Sequence, residues 1–207
     1  MALPQCAMTR RTGRRRGGAD TLPEMTQRTP PGEPEDLTAW VDESVQVVRY
    51  DSQWPARFEE ERALLEAAIG QWAVGGIHHV GSTAVPGLAA KPVIDILVGV
   101  EDLASSRALI PELARSGYRY APYRTDEMHW FCKPDPSQRT HHLHLVPVDS
   151  QRFRDELAFR DRLRADPGTA DEYARLKSRL ATRFEHDREA YTDAKASFIR
   201  MVLDRSP

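Results

Sequence analysis

The sequence predicts an α+β fold, and three observations carry that expectation. Between residues 54 and 69, Trp54, Phe58, Leu65 and Ile69 recur at steps of four, seven and four, the period of one helix face. Two runs, Val93–Val100 and His141–Val148, have the length and the Val, Ile and Leu content of strands. After Ser150 the helical period returns, with Tyr173, Leu176, Leu180 and Phe184 on one face. Strands mixed with helices, then a helical C-terminal part, describe α+β architecture.

The elements follow in order. The helix over 54–69 is closed by Gly75-Gly76, and Ile77 to Val80 reads as a short strand entering a Gly81-Ser82 turn. A short helical or looped crossing then leads to a buried strand over Val93–Val100, bounded by Pro92 and by Glu101-Asp102. Residues 103–115 read as a helix that stops near Gly117. Tyr118 to Tyr123 reads as a short edge strand and Met128 to Lys133 as another strand, with a turn at Pro134-Asp135-Pro136-Ser137. Two or three helices are expected after Ser150. Pro167-Gly168 divides the first from the second, and a break near Asp187 precedes the stripe Tyr191, Phe198 and Val202.

Composition narrows the class. The chain has 207 residues, 40% apolar and 29% charged, which suits a soluble domain with its own core. No run approaches the roughly 18 apolar residues of a membrane helix, so no membrane role is expected. A net charge of −2 offers no general attraction to nucleic acid. Cys6 and Cys132 lie far apart, which argues against a disulfide framework and for the reducing cytoplasm. Residues 1–38 differ from the rest. Arg10, Arg11, Arg14, Arg15 and Arg16 form a basic cluster, and residues 17–38 are rich in Pro, Gly, Thr and Glu. A disordered leader is expected there, ahead of a folded domain over 39–207. A twin-arginine export signal would need an apolar stretch that is lacking after the arginines, and Met8 or Met25 is an alternative start.

The candidate site centres on Asp95. A carboxylate inside Val-Ile-Asp-Ile-Leu-Val is costly to bury without a partner, so it binds a cation, binds an Arg or Lys, or works chemically. Upstream, the Gly81-Ser82 turn exposes backbone N–H groups that suit a phosphate. Lys91 adds a cation ahead of the strand, and its ordinary alternative is an ion pair with Asp95 or a solvated loop charge. Strand alternation sends Val93, Asp95 and Leu97 to one face, and likewise His142, His144 and Val146. If the two strands are neighbours, Asp95 meets His142 and His144. One carboxylate and two imidazoles make a set for a divalent metal. Structural histidines are the plainer alternative. Arg175, Arg179 and Arg183 share a helix face beside several carboxylates and read as a solvated charged surface.

Four segments together carry a family resemblance. They are His79-Val80-Gly81-Ser82-Thr83-Ala84-Val85-Pro86-Gly87-Leu88-Ala89-Ala90-Lys91-Pro92-Val93-Ile94-Asp95-Ile96-Leu97-Val98, then His141-His142-Leu143-His144-Leu145-Val146, Leu157-Ala158-Phe159-Arg160-Asp161, and Ala190-Tyr191-Thr192-Asp193-Ala194-Lys195. From about Val48 to Val202 the chain resembles the GrpB family of the nucleotidyltransferase superfamily. The resemblance implies the DNA polymerase beta-like fold: a mixed sheet with helices on one face and a C-terminal helical segment. Relatives of this domain also occur behind dephospho-CoA kinase. This chain lacks the Gly-rich loop ending in Gly-Lys-Ser or Gly-Lys-Thr that the kinase part would carry.

In active members of the superfamily the Gly-Ser turn holds a nucleoside triphosphate, and three carboxylates on neighbouring strands hold two magnesium ions for phosphoryl transfer. Gly81, Ser82 and Asp95 match that pattern, with Asp95 in the catalytic position. Leu97 stands where the second carboxylate belongs, and His142 or His144 takes the third place. Such a donor set suits one zinc or manganese ion better than magnesium. The resemblance also brings Lys91 and Arg160 into the expected nucleotide site. The function implied is a nucleotidyltransferase-like protein that binds a nucleotide or phosphorylated small molecule and transfers a nucleotidyl or phosphoryl group with a divalent metal. The alternative is a catalytically inactive binding or folding-assistance module with a protein partner. A thinner third reading is a zinc hydrolase built on the His-x-His strand.

Overall fold

The computed structural model describes residues 46–205. The leader expected over 1–38, Cys6 and the start of the domain at residue 39 lie outside the described residues. Helix α1 spans Trp54–Ile69, the range that the apolar spacing predicts, with Pro55 in its first turn where no N–H is needed. It buries Trp54, Phe58, Leu65 and Ile69. Gly70 ends it and a 3-10 turn over Gly70–Trp72 follows.

Five strands form one mixed sheet: β1 (Ile77–Val80), β2 (Ile94–Val100), β3 (Arg119–Ala121), β4 (His129–Asp135) and β5 (Gln138–Pro147). Their order across the sheet is β1-β2-β5-β4-β3. Only the central β2–β5 pair is parallel; β1–β2, β5–β4 and β4–β3 are antiparallel. The two strongest β-like runs of the sequence are therefore neighbours at the middle of the sheet.

Alternation along β2 divides the core in two. Ile94, Ile96 and Val98 face α1 and pack with Trp54, Leu65, Ile69, Phe131, Leu143 and Leu145. Leu97 faces the other way, with Val80, Trp130, Cys132, Val146 and Phe153. Each fully buried Leu or Ile contributes roughly 1.5–3 kcal/mol relative to exposure. Asp95 lies on the Leu97 side, so it faces away from α1. Cys132 is a buried free thiol in that second layer.

Three expectations change in detail. The helix expected over 103–115 is broken into α2 (Leu103–Ser106), a 3-10 turn (Arg107–Leu109) and α3 (Ile110–Arg115). Pro111 cannot donate a backbone hydrogen bond, so a continuous helix loses a rung there. Asp102 caps α2 by accepting from the Ser105 N–H at 2.8 Å. The turn expected at 134–137 tightens, because β4 runs on to Asp135 and β5 begins at Gln138. The ladder shifts register between Lys133 and Pro134, where proline supplies no donor.

The C-terminal part holds four helices rather than two or three: α4 (Gln151–Ala165), α5 (Pro167–Arg183), α6 (Arg188–Asp193) and α7 (Ala196–Asp204). Ser150, Asp166 and Asp187 cap α4, α5 and α6 with side-chain oxygens. The break at Ala194-Lys195 is hidden in the sequence because Tyr191, Phe198 and Val202 keep helical spacing across it. Phe153 and Leu157 of α4 pack on the second sheet face. Leu163, Ala170 and Tyr173 enclose Val85 and Leu88 of the crossing between β1 and β2. Among the described residues no helix is long and apolar enough to cross a membrane. Arg175, Arg179 and Arg183 are exposed, as a solvated face requires.

Candidate functional site

The site is built around the end of β1. Val80 stands opposite Asp95 in the antiparallel ladder, so the next residue, Gly81, turns directly over the Asp95 carboxylate. Gly81 adopts φ +68°, and a Cβ there would sit 2.3 Å from Asp95 Oδ2. Glycine is thus required for its backbone angle and for the close approach. Ser82–Ala84 form a single 3-10 turn. The Thr83 hydroxyl donates to the Val93 carbonyl at 3.1 Å, which leaves its oxygen to accept from His79 Nε2–H at 3.0 Å. His79 stacks on Phe58 at 4.8 Å. Burial pushes the His79 imidazole down to about 4, against the pull of Asp95 and with the help of Arg164 and Arg160. It is therefore a neutral donor at neutral pH.

Three cations from the C-terminal helices clasp this segment by its carbonyls. Arg160 donates to the His79 carbonyl at 3.1 Å, Arg164 to Ala84 at 2.8 Å and Lys177 to Ala89 at 2.5 Å. Arg160 also pairs with Asp161 at 2.8 Å. The structure thus engages Arg160, expected at a nucleotide, in holding the strand that precedes the Gly-Ser turn.

Parallel pairing sets Asp95 beside His142 and Leu97 beside His144. His142 Nδ1 donates to Asp95 Oδ1 at 2.8 Å. Asp95 keeps 29% of its side chain exposed. Burial tends to raise its pKa, but the hydrogen bond from His142 and the electrostatic pull of its neighbours, Lys195 among them, outweigh burial and hold it low. Burial of His142 outweighs its bond to Asp95 and lowers its pKa. The pair is a carboxylate with a neutral imidazole donor.

His144 does not join that pair. Two residue pairs farther along the strands, its Nδ1 meets Glu156 Oε2 of α4 at 3.3 Å. Arg152 Nε lies 2.9 Å from the other Glu156 oxygen and Arg152 also pairs with Glu127 at 2.6 Å. Two carboxylate–imidazole pairs therefore lie side by side, Asp95–His142 and Glu156–His144. Sequence reasoning missed Glu156. The one signal for it was a polar stripe at four-residue steps along α4, Arg152, Glu156, Arg160 and Arg164, facing the sheet and crossing.

Two lysines lie within electrostatic range of Asp95. Lys177 of α5 is buried, with its ammonium 4.8 Å over the Tyr173 ring. Lys195, between α6 and α7, lies 4.3 Å over the Tyr191 ring. Burial, then the Lys195 charge, lower Lys177 to about 7 although Asp95 opposes this. Burial and Lys91 lower Lys195 to about 8, again against Asp95. The Tyr173 phenol, beside Ser82, is pushed up by burial, and that of Tyr191 by burial and Asp95 to about 12, so both stay protonated. Lys177 and Lys195 had no assigned role in the sequence and Tyr173 and Tyr191 only places on apolar helix faces, although Tyr191 and Lys195 fall within one of the four family-like segments.

The donor set does not fit the two magnesium ions that the nucleotidyltransferase resemblance implies. Magnesium takes oxygen ligands in an octahedron. Here Asp95 spends one oxygen on His142, Glu156 is bound by His144 and Arg152, and Leu97 is fully buried in the core. Among the described residues no three His, Cys, Asp or Glu side chains assemble as metal ligands. The expected triad of Asp95, His142 and His144 is split because the register carries His144 on to Glu156. Two lysine ammonium groups within electrostatic range of Asp95 further disfavour a divalent cation.

A five-stranded mixed sheet with a Gly-Ser turn folded over a strand carboxylate, and a helical segment clasping that turn, defines an α+β protein with a polar candidate site. The chain belongs to the GrpB family, whose model, described as GrpB protein, matches residues 44–205. It is 36% identical over 165 residues to a UPF0157 protein of Halalkalibacterium halodurans, covering 79% of this chain and 83% of that one. It is also 36% identical to the glutamate-rich protein GrpB of Alkalihalophilus pseudofirmus, covering 76% and 93%. A dephospho-CoA kinase of Mycolicibacterium paratuberculosis matches at 31% identity over 78% of this chain but only 46% of the kinase. The crystal structure of conserved protein GrpB from Enterococcus faecalis superposes with a TM-score of 0.69 at 36% identity, covering 76% of this chain and 94% of that one.

Proposed function

We propose that the partly exposed site around Asp95 binds a nucleotide or another phosphorylated small molecule, as a nucleotidyltransferase-like site. The observation that carries this reading is the charge arrangement: Lys177 and Lys195 lie within electrostatic range of one carboxylate, with Lys91 near Lys195, beside a Gly-Ser turn whose glycine is exposed. Cations beside exposed backbone amides suit phosphate oxygens. Asp95 suits a ligand hydroxyl, from which it would accept a hydrogen bond. The order of Gly-Ser turn, crossing and strand Asp supports the nucleotidyltransferase comparison.

Leu97, wholly buried in the place of the second carboxylate, favours binding without two-metal transfer. It also keeps alive the second reading, a catalytically inert binding module of the same fold. Thermal unfolding with each of the four nucleoside triphosphates, alone and with magnesium, manganese or zinc, tests the reading. A ligand at 100 times its Kd stabilises by about 2.7 kcal/mol, a rise of several degrees for a domain of this size. Lys91→Met is expected to weaken that binding at least fivefold. No rise with any triphosphate under any of these conditions overturns the proposal.

A further inference from the structure

We propose that Lys195 is the counter-ion that this cleft offers to a ligand phosphate, in the place a divalent metal takes in two-metal sites, so that a phosphorylated small molecule binds without metal. This rests on the phosphate-binding reading above and deepens it.

Position comes first. Lys195 lies at the junction of α6 and α7, its ammonium 4.3 Å over the Tyr191 ring, within electrostatic range of Asp95 and Lys91. Among the described residues no carboxylate lies within ion-pair distance of it and no acceptor hydrogen-bonds it. Its neighbours differ in this respect. Lys177 has the Ala89 carbonyl, Arg160 has Asp161 and His79, and Arg152 has Glu127 and Glu156. A half-buried ammonium over an aromatic face, near Asp95 but with no hydrogen-bond acceptor of its own, is incompletely compensated, and an anion brought in by a ligand completes its partners.

Charge comes second. Lys177 and Lys195 both lie within electrostatic range of the single carboxylate of Asp95, and Glu156 is taken up by His144 and Arg152. Two ammonium groups set against one carboxylate repel a divalent cation and favour a phosphate. Tyr173 and Tyr191 remain protonated and keep phenolic O–H groups beside the same lysines. With its titration near 8, Lys195 still carries its charge at neutral pH.

The test is calorimetric binding of ATP, and of inorganic triphosphate, to the full chain in EDTA and again in magnesium. Lys195→Met keeps the stem over Tyr191 and removes the charge; Lys195→Arg restores charge; Arg175→Met removes an exposed charge from α5, away from the cleft. Binding is expected to persist in EDTA. Lys195→Met should weaken it at least tenfold, Lys195→Arg should recover to within about threefold, and Arg175→Met should leave it unchanged, with the melting temperature of each variant checked. Binding that appears only with magnesium, a Lys195→Met affinity within twofold of the parent, or an equal loss in Arg175→Met overturns this proposal and leaves the phosphate-binding reading standing. Absence of binding in both EDTA and magnesium overturns both.

Discussion

At the scale of single residues, His79 and Gly81 fix the site more than any charged group does. The neutral His79 ring is wedged between Phe58 and Thr83, and its folded-state pKa of about 4 lies below the ordinary 6.5. Between those values the unfolded chain binds the extra proton, so stability is full above pH 6.5 and falls as pH drops toward 4. The loss reaches roughly 3 kcal/mol at most. Urea unfolding at pH 7 and pH 4.5 should show it. His79→Gln, which keeps the N–H donor and cannot protonate, should flatten this part of the pH dependence while costing stability at pH 7. Gly81→Ala forces a side chain into the positive-φ region and onto Asp95, and should destabilise by about 2 kcal/mol or more. Asp95 and its pairing with His142 were legible in the sequence, because period-two alternation puts each on a definite strand face. Glu156 was not, because no local pattern states where a helix docks across a sheet.

Among the elements, α1 and α4 serve opposite faces of the sheet in different ways. Helix α1 is an apolar support, and its limits were readable to the residue from Trp54, Phe58, Leu65 and Ile69. Leu65→Ala should cost about 2–5 kcal/mol in equilibrium unfolding, because the site is fully closed and collapses poorly. Helix α4 is a polar clasp. Arg160 and Arg164 reach carbonyls 81 and 80 residues earlier in the chain, a separation that no periodicity reveals. Arg164→Met should leave the far-ultraviolet circular dichroism unchanged, cost about 1–2 kcal/mol by leaving the Ala84 carbonyl short of a donor, and loosen the turn. Faster amide exchange at Ser82–Val85 than at β2 would report that loosening. Equal protection in variant and parent would count against the clasp.

For the molecule as a whole, the class and the succession of strands along the chain were accessible from pattern, whereas the order across the sheet was not, and the β2–β5 adjacency stood only as a condition that the structure meets. The count of C-terminal helices was not accessible either, since the Tyr191–Phe198–Val202 spacing runs straight through the α6–α7 break. That break is also what delivers Lys195 to the cleft. The cationic half of the pocket was therefore hidden by the same feature that hid the helix boundary. Family membership places the chain among proteins that occur alone and, in the dephospho-CoA kinase match, as part of a longer polypeptide.

The carbonyl grips on His79, Ala84 and Ala89 come from residues 160, 164 and 177, and Lys195 arrives later still. During synthesis the glycine bend and its acid are made early, yet they wait for the final third of the polypeptide before they become a receptor. A nascent chain halted before α4 would expose a finished strand edge and an unshaped pocket. If the site takes a ligand as proposed, its recognition matures only once these C-terminal helices have docked.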